Sequence, residues 1–502
     1  MSPALTASII IGYFLILIAI SFLTSGKADN DTFFKGNKSS SWYLVAFGMI
    51  GASLSGITFI SVPGTVYQNG MTYMAIVLGY FLGYLVIVGI LLPLYYKLNL
   101  TSIYSYLHQR FGRSSYKTGS LFFLFSRVIG ASLRLYLVAE VLDVFLFRHI
   151  GLPYWLGIVI TIALIWIYTF KGGLKTIIWT DTLQTAAMLT AVLVSFYFIK
   201  ESLGHTFLET ISSITQSKFS HVVHWKGGGW SDFSLGLVNG AFITIVMTGL
   251  DQDMMQKNLS CKNLKEAQKN MLWFSTVLIP VNLLFLALGV YLYEYCLQEN
   301  LLMVEELQNK LQFSLWNNEH TAITEITTDR LFPSLAAGDY FPASVGIVFL
   351  IGLIAAAYSS ADSALTSLTT AFCVDILEDE KNARSRKAVH LAISVLLILV
   401  ILIFKEINDD SIIWKLFTWA GFTYGPLLGL FSFGLFTRFN VKDKWVPVIA
   451  LISPILTYFI KENSSWLLGY EMGFEILPLN GALTFLGLFF IRTKNLSKNA
   501  MG

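Results

Sequence analysis

Charge is what this sequence has least of. Lys, Arg, Asp and Glu make up 13% of its 502 residues, where a soluble chain carries about 25%. Hydrophobic residues fill 55% instead, which leaves no room for a separate soluble domain. Cysteine is scarce too: Cys261, Cys296 and Cys373 fall in different parts of the chain, so no disulfide framework is implied. Of seven histidines only His221 and His224 are close, with no acid or cysteine nearby to complete a metal site. Neither H-E-x-x-H nor G-x-S-x-G occurs, which removes two common enzyme signatures. A TVGYG-like loop is also lacking, so a channel has no visible carbonyl filter. The "KGGGW" at 226–230 is a lone glycine run.

What is present is apolar sequence in long runs. Thirteen of them, at 5–24, 43–63, 72–96, 118–147, 153–170, 176–199, 232–255, 272–296, 341–374, 388–404, 412–436, 445–460 and 474–491, approach the roughly 20 residues that cross a bilayer. The expected fold is an all-α polytopic membrane protein, one transport domain over 1–502. The first run has no basic leader and no A-x-A site, so it is expected to be a retained span. An odd number of spans puts the termini on opposite sides. With the N-terminus outside, the cytoplasmic loops hold twenty-three Lys and Arg against eight outside. The positive-inside rule selects that orientation, with a cytoplasmic C-terminus. The basic loops then report topology and not nucleic acid. The short tail, 492–502, leaves no room for a signalling domain, which argues against a transporter-like sensor.

Ionisable residues inside spans cost roughly 2.5–3.5 kcal/mol each on insertion scales and point to function. They are few: Arg127, Arg134, Glu140, Asp143, Asp181, Asp251, Asp253 and Asp362, with Lys415 able to snorkel near a span end. In "AAAYSSADSALTS", 355–367, Ser359, Asp362 and Ser363 share a helix face, with Ser360 and Ala356 beside it. Hydroxyl and carboxylate oxygens aimed together suit a hard cation such as Na⁺. Helix packing with Asp362 paired to an arginine reads equally well. The second run, "FGMIGASLSGITFISVPG", and the seventh, "LVNGAFITIVMTGLDQDMMQ", are both interrupted by glycine and carry polar residues. They occupy matching places in two sets of five, the pattern that marks a transporter's central site.

Three segments resemble the sodium/solute symporters, the family of sodium-coupled sugar, proline and sialic acid transporters. They are "YTFKGGLKTIIWTDTLQT" (168–185), "DQDMMQKNLSCKN" (251–263) and "AAAYSSADSALTS". Order and spacing agree across nearly the whole chain, with Thr176 where the signature usually has Ser, Ala or Pro. The resemblance implies about thirteen helices: a five-plus-five inverted repeat over 43–436, preceded by 5–24 and followed by two helices over 445–491. It implies a monomer in the plasma membrane and Na⁺ as coupling ion. The principal Na⁺ site falls on the carbonyls of Gly51, Leu54 and Ala356 and the hydroxyls of Ser359 and Ser360. A second site in some members falls on Asp181, Ser359, Asp362 and Ser363. Here Asp362 replaces their serine. Either two carboxylates bind a cation tightly, or one is protonated, or Asp362 pairs with Arg127 or Arg134.

The resemblance also places a solute chamber between the second, third, fourth, seventh and eleventh spans. Ser53, Ser55, Thr58 and Asp251 match solute-facing positions. Arg134 matches none. It could hold a carboxylated solute, but pairing with Asp251, or with Glu140 and Asp143, is favoured because unpaired charges at this depth are rare. The expected function is Na⁺-driven import of a sugar, polyol, sialic acid or carboxylate, with two Na⁺ per solute and the second shared by Asp181 and Asp362. A channel, a sensor, a membrane enzyme and a proton-coupled symporter are the alternatives.

Overall fold

The computed structural model describes residues 3–25, 33–34, 36–224, 232–307, 310–317, 320–338, 340–379, 381–407 and 412–493. The "KGGGW" run and the end of the tail lie outside them. The chain is mostly helical. The helices are α1 (Pro3–Ser25), α2 (Trp42–Asn69), α3 (Tyr73–Lys97), α4 (Ser105–Arg110), α5 (Arg113–Leu142), α6 (Tyr154–Phe170) and α7 (Gly173–Ser202). There follow α8 (Phe207–Gln216), α9 (Phe233–Gly249), α10 (Gln252–Leu259), α11 (Leu264–Gln298), α12 (Leu331–Ala337) and α13 (Ala343–Ile376). The last are α14 (Ala383–Ile407), α15 (Ile412–Phe436), α16 (Val446–Glu462), α17 (Ser464–Leu468) and α18 (Ile476–Phe490). Among the described residues, eight helices are long and apolar enough to cross a bilayer, and nine if the bent pair α9–α10 is one span.

Three breaks shape the interior. Ser55 sits at φ 45° and ψ 171° in the middle of α2, a conformation that costs a non-glycine residue strain. It interrupts the helical ladder just after Gly51 and Leu54. Between α6 and α7, Gly173 takes φ 51°, where Phe33 backbone and ring lie too close for any side chain. The third break separates α9 from α10, which meet at 64°. Asp251 caps the new helix there, its Oδ1 accepting from Asp253 N at 2.9 Å and Met254 N at 3.4 Å. That satisfies donors a helix start leaves open.

At the centre α13 packs along α7 and against α2 and α5, while α2 also packs on α7 and α11, and α9 on α3. The α2–α7 contact is close because glycines allow it. A Cβ at Gly48 would sit 2.9 Å from Asp181 Cβ, and one at Gly51 would overlap Thr185 Oγ1. Gly51 N donates to that same oxygen at 3.0 Å.

One feature departs from an all-α expectation. Residues 302–326 contain an antiparallel sheet in the order β1 (Leu302–Leu307), β2 (Lys310–Trp316), β3 (Ile323–Ile326). Val304 pairs with Phe313, and Phe313 with Ile326. The cause is visible in "KLQFSLW". Apolar and polar residues alternate with the period of a strand, and Phe313 and Leu315 are buried.

Candidate functional site

A cavity with about 730 Å³ of empty space, partly continuous with solvent, opens beside the α2 break. Ser53, Leu54, Ser55 and Thr58 line it from α2 and three tyrosines from α3. Arg127 and Arg134 contribute from α5, Thr244 and Thr248 from α9, Asn282 from α11, and Leu416 and Phe417 from α15. These are the elements the sequence points to, with α11 added. Ser53, Ser55, Thr58 and Arg134 therefore all reach one chamber. Asp251 does not. It is fully buried, with one carboxylate oxygen capping α10 and the other accepting from Tyr424 Oη at 2.5 Å. Asp251 thereby joins α10 to α15.

The two arginines differ. Arg127 Nη2 donates to Asp253, and its Nη1 lies 3.8 Å from Asp251 Oδ2. Its charge is thus answered by two buried carboxylates. Arg134 stands two turns along the same face and is 8% exposed. Its Nε has no hydrogen-bond partner, and no carboxylate lies within ion-pair distance among the described residues. The expected pairing of Arg134 is overturned. Asp251 is taken by Tyr424 and Arg127, Glu140 by Lys405 at 2.7 Å and Arg330 at 3.2 Å, and Asp143 by Arg148 at 2.7 Å. Spacing along α5 could not reveal this, because Lys405 and Arg330 arrive from distant sequence.

The cation-site candidates cluster where α2, α7 and α13 meet. Gly51 and Leu54 lie in the turn before the α2 break. Ala356, Ser359, Ser360, Asp362 and Ser363 are buried on α13, and the Oγ atoms of Ser360 and Ser363 have no partner. Asp181 is at the bottom of the same contact, accepting from Ser359 Oγ at 2.8 Å. Its other oxygen meets Lys257 Nζ at 2.7 Å, both side chains being at most 2% exposed. Sequence reasoning misses Lys257, since a lysine just past a span reads as a topology signal. Its place on α10, within the segment starting "DQD", is the only hint the sequence offers. Asp362 pairs with neither arginine. Tyr168 Oη donates to its Oδ2 at 2.9 Å, and its Oδ1 has no partner.

Two of the helix breaks, in α2 and between α9 and α10, thus lie beside one cavity with polar and apolar walls. In fold the chain is similar to a Na⁺-coupled sialic acid symporter solved in a substrate-bound outward-open state, with a TM-score of 0.79, 20% identity and 97% of each chain covered. The model of the sodium:solute symporter family matches residues 33–442. The chain belongs to that family, and it is a transporter rather than an enzyme. Among curated relatives, it is 25% identical to the sodium/sialic acid symporter NanT of Aliivibrio fischeri (strain ATCC 700601 / ES114), over 88% of this chain and 85% of the relative. It is 24% identical to the sodium/sialic acid symporter SiaT of Proteus mirabilis (strain HI4320), over 89% and 88%.

Proposed function

We propose that this protein uses the Na⁺ gradient to import a small polar solute bearing a carboxylate. The observation that carries this reading is Arg134, a buried guanidinium that faces the chamber with no carboxylate in ion-pair contact among the described residues. An unpaired charge at this depth is costly, and a carboxylate offers it a bidentate partner. Ser53, Ser55 and Thr58 supply hydroxyls for the rest of a polar solute beside the α2 break. Relatives that carry sialic acid fit the same chemistry. Uncharged sugars and polyols accept hydrogen bonds from a guanidinium but leave its charge unanswered, and we set them aside.

The principal Na⁺ site in this reading comprises the carbonyls of Gly51, Leu54 and Ala356 with the hydroxyls of Ser359 and Ser360. A neutral set of oxygens holds Na⁺ weakly enough to release it. A second Na⁺ binds nearby on α13. The chain crosses the plasma membrane thirteen times as a monomer, N-terminus outside, with 43–436 forming two inverted five-helix repeats. Rocking of these bundles about the central site exposes it to each side in turn.

Thermal unfolding of the purified protein tests the solute class. Saturating carboxylate at about 100 times its dissociation constant adds about 2.7 kcal/mol to stability. Sialic acid or a monocarboxylate is expected to raise Tm in NaCl but not in choline chloride, and an uncharged sugar to do neither. Stabilisation by uncharged sugars alone contradicts the proposal.

A further inference from the structure

We propose that the second Na⁺ of this protein is ligated by Asp362 and Ser363 and not by Asp181, because Lys257 already occupies Asp181. This rests on the Na⁺-symport reading above and specifies one of its sites. Both oxygens of Asp181 are engaged, one by the Lys257 ammonium at 2.7 Å and one by the Ser359 hydroxyl at 2.8 Å. Lys257 is 1% exposed, and leaving its carboxylate would strand a buried charge, so it stays there. Asp362 is different. It is fully buried, and only Oδ2 is hydrogen-bonded, by Tyr168. Oδ1 is bare, and so are the neighbouring Ser363 Oγ and, one turn on, Thr366 Oγ1.

Two further polar groups converge on the same place. Tyr13 of α1 lies beside Gln184 of α7, within the field of both Asp362 and Asp181. The Tyr13 hydroxyl and the Gln184 amide face each other but make no well-formed hydrogen bond, to each other or to any other group among the described residues. Buried polar atoms are almost always partnered, so so many bare oxygens together mark a missing ligand. With Asp362 ionised, Asp181, Asp362 and Lys257 sum to one negative charge, which one monovalent cation neutralises. Carboxylate, hydroxyl and amide oxygens select a hard one. Asp362 thus does in this chain what a lysine-bound Asp181 cannot.

Equilibrium binding of ²²Na⁺ to the purified protein, without solute, counts the sites. The wild type is expected to bind two Na⁺ per protein and Asp362→Ser one. Adding Lys257→Gln to Asp362→Ser frees Asp181 and restores the count to two. The double variant Asp181→Asn/Lys257→Gln removes the internal pair and still binds two. If Asp362→Ser does not fold, the isosteric Asp362→Asn carries the same expectation of one. Two Na⁺ bound by Asp362→Ser or Asp362→Asn with Lys257 intact, or one by Asp181→Asn/Lys257→Gln, overturns the assignment. One Na⁺ in the wild type overturns it too, while leaving Na⁺ coupling intact. No saturable ²²Na⁺ binding at all refutes the underlying Na⁺ reading itself.

Discussion

Replacing the two arginines of α5 one at a time separates solute binding from folding. Arg134→Gln removes a charge that makes no ion pair among the described residues, so no buried carboxylate loses a direct partner. The expected cost falls on the solute alone. A charge-assisted hydrogen-bonded contact contributes about 1.5–3 kcal/mol net, which is about a 10- to 150-fold rise in half-saturating carboxylate concentration. Arg127→Gln is the opposite case. It leaves Asp253 and Asp251 buried without their cation, and breaking such a pair costs roughly 3–5 kcal/mol. Both variants go through one pair of assays: thermal unfolding in detergent, and carboxylate concentration dependence of uptake in proteoliposomes. Arg134→Gln should unfold near the wild-type temperature and bind carboxylate poorly. Arg127→Gln should lose yield and stability. Equal destabilisation by the two, or unchanged carboxylate affinity in Arg134→Gln, refutes the reasoning.

Other expectations follow from single contacts. Ser360→Ala deletes a buried hydroxyl that bonds to nothing in the protein, so expression should be normal while the Na⁺ concentration for half-maximal uptake rises. Gly51→Ala forces a methyl into Thr185 and should cost about 1–3 kcal/mol by overpacking. Gly51→Ala/Thr185→Ala should recover part of that in a denaturation series. Tyr424→Phe removes the hydroxyl that donates to Asp251 and should lower stability by about 1.5–3 kcal/mol, read as a drop in Tm.

Much of this arrangement was readable before any coordinates. Hydropathy gave the helices, because a bilayer demands a long apolar run for each crossing. Glycine and polar residues marked the broken helices, and the spacing of Ser359, Asp362 and Ser363 put them on one face. What sequence could not supply was pairing between helices. Asp181 lies 76 residues from Lys257, and Glu140 lies 265 from Lys405, so local patterns carry no trace of either ion pair. The partners of Asp251 were hidden for the same reason: its acid meets a helix start and a tyrosine on α15. The small sheet is legible in the alternation of "KLQFSLW", a short signal between two long apolar runs.

Gradient-driven uptake tests the central claim most directly. Proteoliposomes containing the protein are given a labelled carboxylate, sialic acid first, and then an inward Na⁺ gradient, choline in its place, or an inward proton gradient without Na⁺. The account predicts accumulation above the external concentration with Na⁺ alone, and only equilibration in the other two. Accumulation driven by protons in Na⁺-free buffer, or equilibration unaffected by Na⁺, contradicts it.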